Sequence, residues 1–429
     1  MTADEIVTGF AQRVHALSEQ LSGSEVTGLD AVVGLVRPLL SWVGRMLVAL
    51  LYEQWQQRQG RPVCPHCGRL ASAHGQRPRT VLTLVGEVRL RLARFRCRAC
   101  GQELSPVLAG CREHPSCTRE VCALVLELAA RLPYRTVEQF CGRVGLPLSD
   151  DLVATLVARL GGGLAERKQA RAQALATGAE PVASGRRARR LYLLVDGRMV
   201  RVEGQWRELK VGLVFETEAA EPDAHGRWPQ VRPLGSYACL GGADEFMAGF
   251  AAEAVRWGVW QAQEVVLLAD GAPWIWERLP HLVPVGIKTV QILDYYHAAE
   301  HVRSAVEAVL GAERGRFLGQ RLADRLRVGE LDAVLRSLRD LQPQASVEAR
   351  HTVRLTVAYL LRHRDRCQYF RRHWEGYYIG SGRVESVCKQ LGLRFKGCGM
   401  NWSHTGLTAL LAVYNNVHSA EPVPWPAAA

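Results

Sequence analysis

Two acidic residues each close an apolar run in the middle of this chain. In Leu191 to Glu203, LYLLVDGRMVRVE, the run ends at Asp196-Gly197 and alternating residues follow. In Glu264 to Ala272, EVVLLADGA, it ends at Asp270-Gly271. Asp-Gly after a strand is ordinary turn chemistry, so either acid taken singly reads as a turn. Held together, two such carboxylates can share divalent cations, which prefer oxygen ligands. A second chemistry stands earlier in the chain. Cys64-Pro65-His66-Cys67 and Cys97-Arg98-Ala99-Cys100 are two Cys-x-x-Cys turns. Each lets two thiolates converge on one ion, and the pair completes a tetrahedral site. Four thiolates leave no open position, so the expected zinc is structural.

The elements needed to position these groups can be read from periodicity. Between the cysteine pairs, Thr80 to Phe95 alternates on both sides of Gly86-Glu87, as a β-hairpin would. Residues 61–106 therefore read as a zinc ribbon, with Arg77, Arg79, Arg89, Arg91, Arg94 and Arg96 decorating its hairpin. Residues 1–60 read as an N-terminal helical region. Residues 107–176 read as helical, with Thr118 to Arg131, Thr136 to Val144 and a helix capped by Ser149 or Asp150 fitting either a helix-turn-helix or a plain helical hairpin. A basic Pro/Gly/Ser linker over 177–190 carries Arg186, Arg187, Arg189 and Arg190, which are candidate phosphate contacts.

From Leu191 the expected order is three strands, a helix, a strand with Asp270, a short helical segment and a fifth strand at Thr289 to Leu293. That is ribonuclease-H-like order, in which an acid on the first strand meets one after the fourth. The fold class expected for 191–420 is α/β, a ribonuclease-H-like core with a helical insertion over about 303–373. A third acid must come from a later helix, with Glu300, Glu375 and Glu385 as candidates. Glu385 follows the Gly-rich approach Gly380-Ser381-Gly382.

Length and composition bound the rest. The 429 residues are 48% apolar and 22% charged, a globular balance, and the net charge of +12 favours a polyanionic partner. Twelve cysteines in so long a chain do not make a secreted disulfide scaffold. The most apolar run, Val36 to Leu51, is interrupted by Arg37 and Arg45, so no membrane span is expected. The N-terminus lacks the pattern of a signal peptide. The expected location is cytoplasmic.

The passages LYLLVDGRMV, LLADGAPWIW, QILDYYHAAEHV and GSGRVESVCKQLGLRFKGCGMNWS resemble those of ISKra-type insertion-sequence DDE transposases. The resemblance covers most of the chain. It implies a catalytic triad of Asp196, Asp270 and Glu385, holding two Mg²⁺ (or Mn²⁺) ions. It also implies that Asp294 and His297 form the Asp-x-x-His feature near the fifth strand. The implied partners are transposon ends and target DNA, bound by at least a homodimer. Arg394 and Lys396 are candidate phosphate contacts, and Trp402 either stacks on a displaced base or packs on the core.

Three rivals stand beside this reading. His297-Ala298-Ala299-Glu300-His301 fits the H-x-x-E-H zinc-peptidase pattern. A decayed or domesticated transposase would bind a DNA site without chemistry. A ribonuclease-H-like nuclease would use the same ions without strand transfer.

Overall fold

The structure, a computed structural model, describes residues 2–23, 28–104, 114–179, 185–217, 233–380, 392–396 and 399–425. The chain divides into two compact units, Met1–Leu160 with Pro424–Ala429, and Gly161–Val423.

In the first unit, helices α1 (Ala3–Gly23) and α2 (Leu29–Arg58) precede a three-stranded antiparallel sheet. Its strands are β1 (Ser72–Thr83), β2 (Gly86–Arg96) and β3 (Glu103–Leu104). The expected hairpin is present, but it starts at Ser72 and turns at Leu84-Val85, two residues before Gly86-Glu87. Thr83 sets that turn: its Oγ1 donates to Gly86 O (2.8 Å) and accepts from Val85 N (3.2 Å). Gly86 then holds φ at 104°, a conformation that favours glycine.

Helix α2 lies along this hairpin. Gln56 Nε2 donates to Arg91 O (2.8 Å), and Gln56 Oε1 accepts from Ala93 N (3.0 Å). Ser41 Oγ donates to Val85 O (2.9 Å). Ala49 and Tyr52 pack on Val81, Val88, Leu90 and Leu92. By length and composition alone α2 is apolar enough to cross a membrane, contrary to expectation. The reason is that the helix continues through Arg37 and Arg45, so it is longer than the uninterrupted apolar run. Three shorter helices follow, α3 (Arg119–Arg131), α4 (Tyr134–Arg143) and α5 (Asp150–Leu156). Ser149 caps α5, accepting from Leu152 N at 3.2 Å, whereas Thr118 makes no such side-chain bond to α3.

The second unit is built on a five-stranded mixed sheet of β4 (Arg190–Val202), β5 (Gln205–Glu216), β6 (Pro233–Cys239), β7 (Glu264–Ala269) and β8 (Lys288–Leu293). Their order is β6-β5-β4-β7-β8; β4, β5 and β6 run antiparallel, and β7 and β8 run parallel to β4. Between β6 and β7 lies α7 (Ala243–Arg256), and α8 (Pro273–Trp276) follows β7. Strand β4 is buried on both faces, so its first half is a continuous apolar run. Leu191, Leu193 and Val195 join Phe246, Phe250 and Trp257 in one core cluster. Tyr192 and Leu194 face the other way, into a cluster with residues of α9 (Tyr295–Arg327), α10 (Leu331–Leu341), α11 (Val347–Arg362) and α12 (Tyr369–Trp374).

The helical segment expected over 303–373 is thus present, but α9 begins directly after β8 and carries the insertion past a kink at Gly311 (φ 78°). The domain boundary also differs from the linker expected at 177–190. Helix α6 (Gly162–Ala176) belongs to the second unit, packing on α7 and on the last helix, α13 (His404–Val417). A Cβ at Gly161 would overlap the Ala409 carbonyl, so this close helix approach requires glycine. Composition marked a Pro/Gly/Ser stretch; packing decides which side of it a helix joins.

Candidate functional site

Strand register gathers the acids. The last parallel pair of β4 and β7 is Val195↔Ala269, and the last of β7 and β8 is Ala269↔Leu293. The next residue on each is Asp196, Asp270 and Asp294, so three carboxyl groups share one row across adjacent strands. Asp196-Gly197 is not a turn. Strand β4 runs on through it, pairing Asp196 with Val211 and Gly197 with Lys210. A Cβ at Gly197 would meet the Glu208 carboxylate, the far end of a flexible and partly exposed side chain that can move aside.

Asp270 does begin a turn, and its Oδ1 accepts from Ala272 N at 2.9 Å. Trp276 Nε1 donates to the Asp270 carbonyl (2.6 Å). The Tyr359 ring of α11 covers Gly271 so closely that a Cβ there would fall inside it. The Gly271 carbonyl also lies 3.2 Å from His363 Nε2. The helical insertion therefore holds the turn that carries Asp270.

Asp294 is 3% exposed and caps α9, its Oδ1 accepting from Tyr296 N (2.8 Å) and His297 N (3.4 Å). Its Oδ2 lies 3.4 Å from His297 Nδ1. Ligand atoms of Asp196, Asp270 and His297 all lie within 4.8 Å of one another. Burial, opposed by the Ala272 amide, holds the Asp270 carboxyl above its usual range, with Asp196 and Asp294 adding to the rise. The contact with Asp294 raises His297 to about 9, against the effect of its own burial.

Beside the acids is a cavity of about 290 Å³, lined by Asp196, Arg198, Val200, Leu209, His297 and Lys396 among others. Arg198 Nε lies 3.5 Å from Asp196 Oδ2. Lys396 is exposed, with its Nζ 5.5 Å from the centroid of the Trp206 ring, itself 57% exposed. Arg198 and Trp206 were missed in the sequence. Strand parity places Arg198 on the Asp196 side, a usable signal, but nothing local marks Trp206 or Tyr359.

Other expected site residues fall differently. Glu385 lies outside the described residues. Glu300 pairs with Arg303 (3.0 Å), and Glu375 with Arg371 (2.9 Å) and Arg372 (3.0 Å); neither joins the acid group. Arg394, expected at phosphate, is 3% exposed, its guanidinium 5.2 Å from the Trp402 ring centroid. Trp402 packs: its Nε1 donates to Phe395 O (3.0 Å), and its backbone pairs with Arg201 and Glu203. Arg190 binds the buried Glu264 (2.7 Å) and lies over Tyr377, and Arg186 pairs with Glu216 (2.7 Å). Arg190 is thus held in the core and Arg186 in a part-exposed ion pair, whereas Arg187 and Arg189 stay exposed. The peptidase pattern does not assemble, since His297 joins the aspartates while the His301 ring lies tilted against Tyr359, centroids 4.4 Å apart.

The four cysteines converge as expected. Sγ separations are 3.6 Å for Cys64–Cys100 and 3.4 Å for Cys67–Cys97. A tetrahedral zinc with Zn–S of about 2.3 Å needs thiolates about 3.8 Å apart, so the group can hold a structural metal such as zinc. The two knuckles are alike. Cys64 N and Cys97 N donate to Arg69 O and Gln102 O (2.8 Å each), and Gly68 and Gly101 take φ of 69° and 74°. Reading Cys-x-x-Cys-Gly, not Cys-x-x-Cys, would have captured this.

The fold and site define a mixed α/β protein with a five-stranded sheet, a row of aspartates and a separate four-cysteine cluster. A comparison with protein-family models and with curated proteins finds no match for the chain.

Proposed function

We propose that this protein is a DDE transposase of the ISKra-type resemblance, with a ribonuclease-H-like catalytic core. The observation that carries the reading is the single row of Asp196 and Asp270 on adjacent parallel strands. The strand order, with the first strand central, three antiparallel strands and two parallel ones, supports the same reading.

The donor set fits divalent cations, since Asp196 and Asp270 offer hard oxygen ligands within 4.8 Å. Glu385 is the third acid that the resemblance implies; Glu300 and Glu375 pair with arginines instead. When bound, the ions supply activation of the attacking oxygen and stabilisation of the leaving oxygen in an in-line displacement. The chain's own residues do the rest. Asp196, Asp270 and Glu385 set the reacting position, while Arg198 and Lys396 beside the cavity bind phosphate. Trp206 stacks on an unpaired base. Hydrolysis of one phosphodiester at an element end frees a 3′-hydroxyl, which then attacks a target phosphodiester in the same site. No protein nucleophile is needed.

Strand transfer engages two ends, so the working form is at least a dimer. The exposed arginines of the ribbon, Arg77, Arg89, Arg91 and Arg96, provide further phosphate contacts, and helices α4 and α5 serve as a helix-turn-helix. The site of action is the cytoplasm, with no membrane involved; α2 is occupied along one side by its contacts to the hairpin.

The test is Mg²⁺-dependent cleavage and joining of labelled duplex carrying the gene's own flanking ends, with wild type, Asp196→Asn and Glu385→Gln. Loss of both steps in both variants is expected. Cleavage without joining by wild type would mean a nuclease. Tight binding with no chemistry would mean a site-specific DNA-binding protein. Full activity in Glu385→Gln would move the third acid elsewhere.

A further inference from the structure

The first turn of α9 does more than brace the acids. Asp294 is buried, and both its oxygens are engaged, one by the backbone amides of Tyr296 and His297, the other by His297 Nδ1. That contact uses one ring nitrogen and fixes the plane of the imidazole. The ring's ligand atom nevertheless lies within 4.8 Å of carboxylate oxygens of Asp196 and Asp270. With Nδ1 held by Asp294, Nε2 is the nitrogen left for a cation, and a carboxylate on one nitrogen is the usual support of a metal-ligating imidazole. His297 is half-exposed and lines the cavity beside Asp196, so a cation can reach it without rearranging the core.

We propose that His297 is itself a ligand, completing with Asp196 and Asp270 a two-oxygen, one-nitrogen divalent-cation site that favours Mn²⁺ over Mg²⁺. Mn²⁺ is the first-row ion that binds nitrogen least tightly, but it still accepts an imidazole more readily than Mg²⁺, which holds its waters and takes oxygen ligands. Asp294 is the positioning residue, acting through His297. His301 does not join this group; its ring lies against Tyr359 instead. This inference rests on the proposed function only in so far as both need a cation at Asp196 and Asp270; it does not require DNA chemistry.

The test uses the full chain with its cysteine cluster zinc-loaded and no DNA present. Mn²⁺ binding is followed by the loss of free-ion paramagnetic resonance, and nitrogen coordination by pulsed resonance of the bound ion. Wild type should bind Mn²⁺ with a directly coordinated ¹⁴N signal. His297→Ala and His297→Gln should lose that signal and bind Mn²⁺ at least about tenfold more weakly, with Mg²⁺ affinity changed less. Asp294→Asn, which keeps a helix-capping side chain, should weaken Mn²⁺ by about 10–100-fold, the range for a group supporting a ligand.

Wild type that binds no Mn²⁺, or binds it without nitrogen coupling, overturns the proposal. So does unchanged affinity in both His297 variants. Nitrogen-coupled Mn²⁺ in a protein that neither cuts nor joins DNA would keep this inference and discard the transposase reading. Cleavage by a protein whose bound Mn²⁺ lacks nitrogen would do the reverse.

Discussion

Asp294 and His297 form a closed unit at the start of α9, the carboxylate accepting from two backbone amides with one oxygen and facing the ring at 3.4 Å with the other. One residue therefore starts the helix and aims the only imidazole among the grouped ligand atoms. Asp294→Ala should cost about 1 kcal/mol of stability through loss of the cap, and Asp294→Asn much less, because Asn also caps. Chemical denaturation of both variants checks this; equal losses would show that the charge, not the cap, is what stabilises.

The same pair has a pH signature in the metal-free protein. His297 is raised from 6.5 to about 9 by Asp294, so the folded state binds its proton more tightly than the unfolded state. Its contribution is fully present below pH 6.5 and is lost as pH rises through about 9. The ring is 46% exposed, so solvent reduces the effect. Melting temperatures of wild type and His297→Ala should differ most at pH 6 and converge above pH 9. A gap that widens with pH would reverse the assignment.

Gly271 and Tyr359 should behave as one unit. Gly271→Ala drives a Cβ into the Tyr359 ring and should destabilise by about 1–3 kcal/mol, the usual cost of overpacking. Tyr359→Ala opens that space, so the double variant should recover part of the loss. The coupling energy from the four proteins decides the matter; strict additivity would mean the ring does not press on the Asp270 turn.

Zinc content should follow the thiols. Amides of Cys100 and Ala99 lower Cys97 to about 6; against the lowering Gln102 amide, lost hydration and the neighbouring sulfurs push Cys100 up to about 12. Metal uptake at neutral pH must therefore release protons, and affinity should fall on acidification. Cys64→Ser should lose the metal. Proton release measured on zinc addition to the chelated protein, with none in the variant, is the expected result.

Lys396 and Arg394 should separate cleanly despite lying two residues apart. Arg394→Ala should destabilise, because the side chain is buried against Trp402. Lys396→Ala should leave stability alone and reduce the salt dependence of DNA binding by about one unit of slope. A melting curve and a salt titration on each variant distinguish the two roles.

Much of the second unit was legible because its strands are apolar runs with clear ends. Strands near 208–217, 236–240, 264–268 and 289–293 all appear within a few residues of expectation. The insertion was legible as helix from its Arg/Leu pattern. Its bearing on Asp270 was not, because Tyr359 and His363 stand about ninety residues from the turn they hold. The basic residues were the least legible. Arg186, Arg190 and Arg394 share composition with Arg187, Arg189 and Lys396, and only their burial and contacts tell paired or packed arginines from exposed cations.

By itself, then, the sequence determined the residues able to do chemistry: paired Cys-x-x-Cys turns, aspartates closing apolar runs, and the strands leading to them. These are local properties, set by spacing along one segment and by strand or helix period. The tertiary structure alone decided which groups meet. Register across β4, β7 and β8 put Asp196, Asp270 and Asp294 in one row, and capping of α9 turned His297 toward that row. Those relations join segments far apart in the chain, and hydrogen bonding between strands, not any local preference, fixes them.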